Sequence, residues 1–138
     1  MITVLDTTAF AAAMRNEPAI VAFLEARRPG AVATVPPVVA EIQYGIRRLE
    51  KGSRKRTLLE AERDRLLGAL QVLPWTPESS ARFGEVKAAL EQAGEPIDDF
   101  DVAIAAIAQC HHAEVLTANL THFRRIAGLT SRHWENPR

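Results

Sequence analysis

The amino-acid sequence predicts an α/β fold, a three-layer α/β/α domain with a mainly parallel central sheet, and three observations predict it. Short apolar runs over 2–5, 31–35, 71–75 and 114–118 alternate with segments of helical length. Strands separated by helices form parallel sheets covered on both faces. No repeat, linker or low-complexity stretch divides the 138 residues. That length suits one domain spanning 1–138 with its own hydrophobic core.

The elements follow in order. Residues 2–5 form a β-branched apolar run that stops at Asp6, as a buried strand ending in a carboxylate does. Residues 7–14 read as a helix capped by Asp6 or Thr7. Pro18 suits a first helical turn, and 19–26 continue it. Pro29-Gly30 is a turn before the second strand, 31–35. Pro36-Pro37 opens a helix to about 49, with Glu41 in its early turns, and Lys51-Gly52-Ser53 breaks it. A charged helix spans 54–70 with Leu58, Leu59, Leu66, Leu67 and Leu70 as its apolar positions. The third strand is 71–75. Thr76-Pro77-Glu78 starts a helix that ends near Gly94: cap, proline at N1 and an early acid. Asp98 opens the next helix, to about 112. A fourth strand over 114–118 precedes a short helix around 122–126 and a last edge strand over 130–134. Trp75 and Phe83 are expected in the core; Tyr44 either joins the core or borders the site.

Composition narrows the function classes. Apolar residues make up 47% and charged residues 25%, which excludes a disordered chain. Lys plus Arg and Asp plus Glu are both 17, so the total charge points to no partner, and any nucleic-acid contact must be local. The single cysteine, Cys110, permits no intrachain disulfide and accords with a reducing cytoplasm. The opening MITVLDTTAF has no basic residue before Arg15, and no run is long enough to span a bilayer. Neither a signal peptide nor a membrane segment is expected.

The chemistry lies in the acids. In parallel sheets, ligands bind beyond the carboxyl ends of the strands. Asp6 follows the first strand, Asn119 follows the fourth, Glu41 lies in the helix after the second, and Asp101 opens the helix that leads into the fourth. Parallel strands bring these positions toward one edge. Asp101 shares a helical stripe with Ile104, Ala105 and Ala108, so it faces the core end. A carboxylate there needs a hydrogen-bond partner, an ion pair or a metal, and no Lys or Arg lies near it in sequence. Clustered carboxylates suit Mg²⁺ or Mn²⁺, which assist phosphoester hydrolysis. Each acid also has a plainer reading. Asp98 and Asp99 serve as cap or solvated acids, Asp101 as an N3 acid complementing the helix dipole, Asp6 as a cap and Glu41 as a solvated helix acid.

Four segments, in order, carry a resemblance: MITVLDTTA, PPVVAEIQYGIRRL, GEPIDDFDVAIAAIA and VLTANLTHFRRIAGL. The chain resembles PIN-domain ribonucleases of the VapC toxin type, from bacterial toxin–antitoxin pairs, over nearly its whole length and up to Trp134. The resemblance implies a cytoplasmic, metal-dependent endoribonuclease that acts on RNA, with transfer and ribosomal RNA as candidate targets. It further implies a homodimer and neutralisation by a cognate VapB-type antitoxin covering the acidic site. By position it makes Asp6 and Asp101 the main ligands of Mg²⁺ or Mn²⁺, and Glu41 the holder of a second metal or its water. The sequence departs from the family in two places. Thr8 stands where many members carry Asn or Ser, and its hydroxyl can still bond a ligand or a neighbouring carboxylate. Asn119 and His122 stand where many members carry a fourth acid. Asn119 can complete the shell through its carbonyl but brings no charge. The shortfall leaves room for a one-metal site, for help from Asp98 or Asp99, or for a weak or silent module that binds RNA or a partner. A phosphatase with Asp6 as nucleophile fits worse, because LDTTA lacks the second aspartate such enzymes carry.

The other polar groups weigh less. Arg47, Arg48, Lys51, Arg54, Lys55 and Arg56 form a basic cluster suited to an RNA backbone or an antitoxin, or simply to solvent. Arg124 and Arg125 invite the same two readings. His122 is a candidate for substrate binding or proton transfer. Cys110, His111 and His112 are adjacent, unlike spaced zinc ligand pairs.

Overall fold

The computed structural model describes residues 1–136. Its strands are β1 (Thr3–Leu5), β2 (Val32–Thr34), β3 (Gln71–Val72), β4 (Glu114–Leu116) and β5 (Ser131–Arg132). All neighbours pair in parallel in the order β3-β2-β1-β4-β5. The helices are α1 (Thr7–Met14), α2 (Pro18–Glu25), α3 (Pro36–Arg47), α4 (Arg54–Ala69), α5 (Pro77–Gln92), α6 (Asp99–Cys110) and α7 (Leu120–Phe123). The expected α/β/α architecture is therefore present. Among the described residues no helix is long and apolar enough to cross a membrane.

Local chemistry explains the helix starts. The Asp6 carboxylate caps α1 by accepting from the Ala9 amide, Ser53 caps α4 and Thr76 caps α5. Pro18, Pro36 and Pro77 occupy first turns, where a missing N–H is not needed. Asp98 caps α6 by accepting from the Phe100 amide. The central strands β1, β2 and β4 are wholly buried, and α6 buries every residue from Val102 to Ala108. This apolar helix anchors the acids at its start.

Five expectations need correction. The third strand stops at Val72 instead of 75: the Leu73 amide still bonds the Thr34 carbonyl at 2.9 Å, but Pro74 has no N–H to continue the ladder. Trp75 is accordingly 45% exposed and not core; its indole donates to Ser80 Oγ at 2.6 Å and its ring leans on Phe83, which is partly buried. The short helix begins at Leu120, not 122, and ends at Phe123, while the last strand shrinks to Ser131–Arg132. On α4, Leu66 is buried and Leu59, Leu67 and Leu70 pack against the core, but Leu58 faces solvent. Tyr44 is exposed as well.

Candidate active site

The register of the sheet builds the site. Leu5 pairs with Leu116, so Asp6 and Thr117 follow directly on the ends of adjacent strands. The Asp6 amide bonds the Leu116 carbonyl at 3.1 Å, which holds the two strand ends together. The Asp6 side chain is buried between them. Its Oδ1 accepts from Thr8 Oγ1 at 2.6 Å and from the Ala9 amide at 2.9 Å, and its Oδ2 accepts from Thr117 Oγ1. Both hydroxyls are themselves fixed: Thr8 Oγ1 accepts from the Ala118 amide and Thr117 Oγ1 from the Asn119 amide, each at 2.8 Å. Burial pushes the Asp6 carboxyl up to about 6 despite these three donors, and the charge of Asp101 adds to the rise.

Two further acids meet Asp6 at this edge. Glu41 Oε1 accepts from Thr7 Oγ1 at 2.5 Å. Its carboxyl is raised by partial burial and by the charges of Asp101 and Asp98. Asp101, with its side chain 13% exposed, receives His122 Nδ1 on Oδ2 at 3.0 Å. Burial raises Asp101 while His122 opposes the rise and the Asp98 charge adds to it. Asp101 thus lies within electrostatic reach of both Asp6 and Glu41 at the carboxyl ends of the strands. The partner that the nearby sequence lacked for Asp101 is His122, brought in by α7.

The remaining candidates separate. Asp98 is both the cap of α6 and close enough to affect Glu41 and Asp101. Asp99 turns to Lys87 Nζ at 3.0 Å, so it belongs to an exposed ion pair between α5 and α6. Asn119 heads α7, where its carbonyl accepts from the His122 and Phe123 amides; no hydrogen bond of its side chain occurs among the described residues. In the basic cluster, Arg56 bonds the Leu49 carbonyl and approaches Glu60, whereas Arg47, Arg48, Arg54 and Lys55 are exposed. Thr117 was not singled out from the sequence, and Thr7 was read only as an alternative cap of α1, a place that Asp6 takes. The available signal was a hydroxyl one position beyond each strand's last residue or its carboxylate.

The donor set fits a hard divalent cation in kind. It offers carboxylate and hydroxyl oxygens, and burial, with a smaller contribution from neighbouring carboxylate charge, raises all three acids. Among the described residues no three His, Cys, Asp or Glu side chains stand together as a ready-made cage. Asp6 accepts three hydrogen bonds and one Asp101 oxygen accepts from His122; each carboxylate keeps a further lone pair that a cation could take.

Comparison with known proteins agrees with this geometry. The PIN domain model matches residues 3–129. Ribonuclease VapC2 of Rickettsia felis is 31% identical over 98 residues, covering 71% of this chain and 70% of the relative. The tRNA(fMet)-specific endonuclease VapC of Shigella flexneri is 25% identical over 130 residues, covering 94% and 96%. Among solved structures, VapBC2 from Rickettsia felis bound to a DNA fragment from its promoter superposes with a TM-score of 0.87 at 28% identity, over 97% of this chain and 99% of that one. A family model spanning most of the chain, a parallel sheet with its acids at the carboxyl edge and these relatives lead to one assignment: the chain belongs to the PIN domain family, among proteins of the VapC type.

Proposed function

We propose that this protein is a metal-dependent endoribonuclease, the toxin of a toxin–antitoxin pair. The observation that carries the reading is a buried Asp6, held by Thr8, Thr117 and the Ala9 amide, with Asp101 close enough for its charge to raise both Asp6 and Glu41. Asp6 and Asp101 would hold Mg²⁺ or Mn²⁺, with Glu41 holding a second ion or its water. Bound there, the cation offsets phosphate charge and lowers the pKa of water at the scissile bond. The protein's own groups do the positioning. Thr8 and Thr117 fix the Asp6 carboxylate in one orientation, Thr7 fixes Glu41, and His122 fixes Asp101. Burial of Asp6 keeps bulk water from competing for its oxygens.

The relatives' names extend the reading to a partner and to targets. A groove of about 370 Å³, lined by Thr7, Ala11, Glu41, Ile46, Lys55 and Leu59 among others, runs between α1, α3 and α4 to the acidic edge. An antitoxin of the VapB type seated there would reach the acids directly. Transfer RNA is the first target to test, in a homodimer of the cytoplasm.

The decisive test uses full-length protein free of antitoxin, with transfer and ribosomal RNAs, in Mg²⁺, Mn²⁺ or EDTA. Discrete cuts are expected that require metal and fall at least about a hundredfold in Asp101→Asn. RNA binding without cutting, unchanged by that substitution, would replace the nuclease with a silent binding module. Asn119→Asp adds a carboxylate at the place where the family resemblance implies a fourth acid. Calorimetry should show several-fold tighter Mn²⁺ binding, and an unchanged affinity would remove Asn119 from the shell.

A further inference from the structure

We infer that the outer face of α3 is a stacking platform for a single-stranded RNA base next to the scissile phosphate, built from Tyr44 and Arg48. The inference rests on the nuclease reading for its ligand but on different residues for its evidence. On a helix, Glu41, Tyr44, Gly45 and Arg48 stand at i, i+3, i+4 and i+7 and share one face. Tyr44 is thus one turn, about 5 Å along the axis, beyond an acid of the site. It is 65% exposed, the most open large apolar side chain of the described residues after Met1. An exposed aromatic is an unusual choice on a helix whose opposite face buries Val38, Ile42 and Ile46.

Two details favour a nucleic-acid occupant. The Arg48 guanidinium lies over one face of the Tyr44 ring, 5.6 Å from its centroid, so a base would stack on the opposite face with the cation already in place behind the ring. Gly45, on the same helix face, adds no bulk there, since even a Cβ would meet nothing within 4 Å. Arg47 and Lys55 add positive charge at the same end, while Glu41 and the buried acids mark where the phosphodiester would be cut. Base stacking on an aromatic ring together with arginine contacts to the backbone is how sequence-tolerant single-strand sites are made. A base on Tyr44 would place its own phosphate near Arg48 and the adjoining one toward Glu41.

Tyr44 is the protein's one tyrosine. Incorporation of 3-fluorotyrosine therefore gives a single fluorine resonance at the platform. The label is placed in full-length Asp101→Asn protein, which is titrated with a single-stranded hexaribonucleotide and with an RNA duplex. The resonance should shift in step with binding of the single strand and much less with the duplex. By fluorescence anisotropy, Tyr44→Ala should raise Kd about tenfold, Tyr44→Phe should stay within about twofold, and Arg48→Gln should lower the salt slope by about one. Binding of RNA with a silent resonance and an unchanged Tyr44→Ala affinity would overturn the platform. So would a resonance that responds only to protein dilution, which means a second copy covers Tyr44, or only to an antitoxin peptide. The two readings fail separately. Metal-dependent cutting with a silent Tyr44 removes the platform alone, and a responsive Tyr44 without cutting by the wild type removes the nuclease alone.

Discussion

Asp6→Asn should abolish metal-dependent RNA cleavage and, in the same protein, raise the melting temperature at pH 8 in EDTA. Both effects follow from one carboxylate. Its folded pKa of about 6 lies above the ordinary 3.8, because burial disfavours the charge more than three hydrogen bonds favour it. The folded state therefore binds the proton more tightly than the unfolded state. Stability from this group is full below about pH 4 and is lost as pH rises through about 6. A difference of about two pKa units corresponds to roughly 3 kcal/mol above that window. Asparagine removes the charge and keeps an amide oxygen for Thr8 and the Ala9 amide, and its NH₂ can donate to Thr117 Oγ1. Calorimetry from pH 8 down to pH 4 should show the wild type gaining on the variant as the carboxyl protonates. Glu41 and Asp101 are raised too, so both proteins keep a shared slope, and their difference isolates Asp6. A variant less stable than wild type at pH 8 would show that the hydrogen bonds outweigh the burial. Cleavage should drop at least about a hundredfold whichever way stability moves.

That balance also marks what the sequence could and could not reveal. The alternation of apolar runs with helices was readable because a parallel strand cannot reach its neighbour without a crossover. Once the sheet is parallel, its carboxyl ends share one edge, and Asp6, Glu41 and Asp101 come with them. Of the groups that position these acids, Thr8 was legible as a hydroxyl able to bond a neighbouring carboxylate, and it donates to Asp6; the others were hidden. Thr117 matters only because Leu5 pairs with Leu116, and register between strands more than a hundred residues apart leaves no local trace. His122 reaches Asp101 because α7 starts at Leu120, two residues before its expected start. Asp99, read with Asp98 as a cap or solvated acid, pairs with Lys87 of α5, a partner twelve residues back that the local sequence does not point to. Trp75 was misplaced because Pro74 ends a strand that its apolar neighbours would have continued.

Glu114→Ala should lower stability by about 2–4 kcal/mol without removing cleavage by the folded protein. Glu114 lies at the other end of the same strands, at the start of β4, opposite Thr3 of β1. Its side chain is only 2% exposed and is as buried as Asp6. Its surroundings differ in kind. Thr3 Oγ1 donates to Oε1 at 2.8 Å, Arg132 Nε donates to Oε2 at 2.7 Å, and Arg27 Nη1 stands 3.9 Å away. Asp6 has neutral donors and like charges; Glu114 has two guanidinium groups. A buried carboxylate with cationic partners holds structure together, whereas one without them stays poised for a cation from outside. Removing Glu114 leaves the buried Thr3 hydroxyl without its acceptor and loosens the guanidinium groups that tie β5 and the turn after α2 to β4. Arg132 is partly exposed and can regain water, which keeps the loss near the lower end. Glu114→Gln keeps an acceptor for Thr3 and should cost about half as much. Urea unfolding with an unchanged slope measures both. An Ala variant within about 1 kcal/mol of wild type would show that hydration of the arginines compensates fully. A stable variant that no longer cuts RNA would instead tie this distant acid to catalysis.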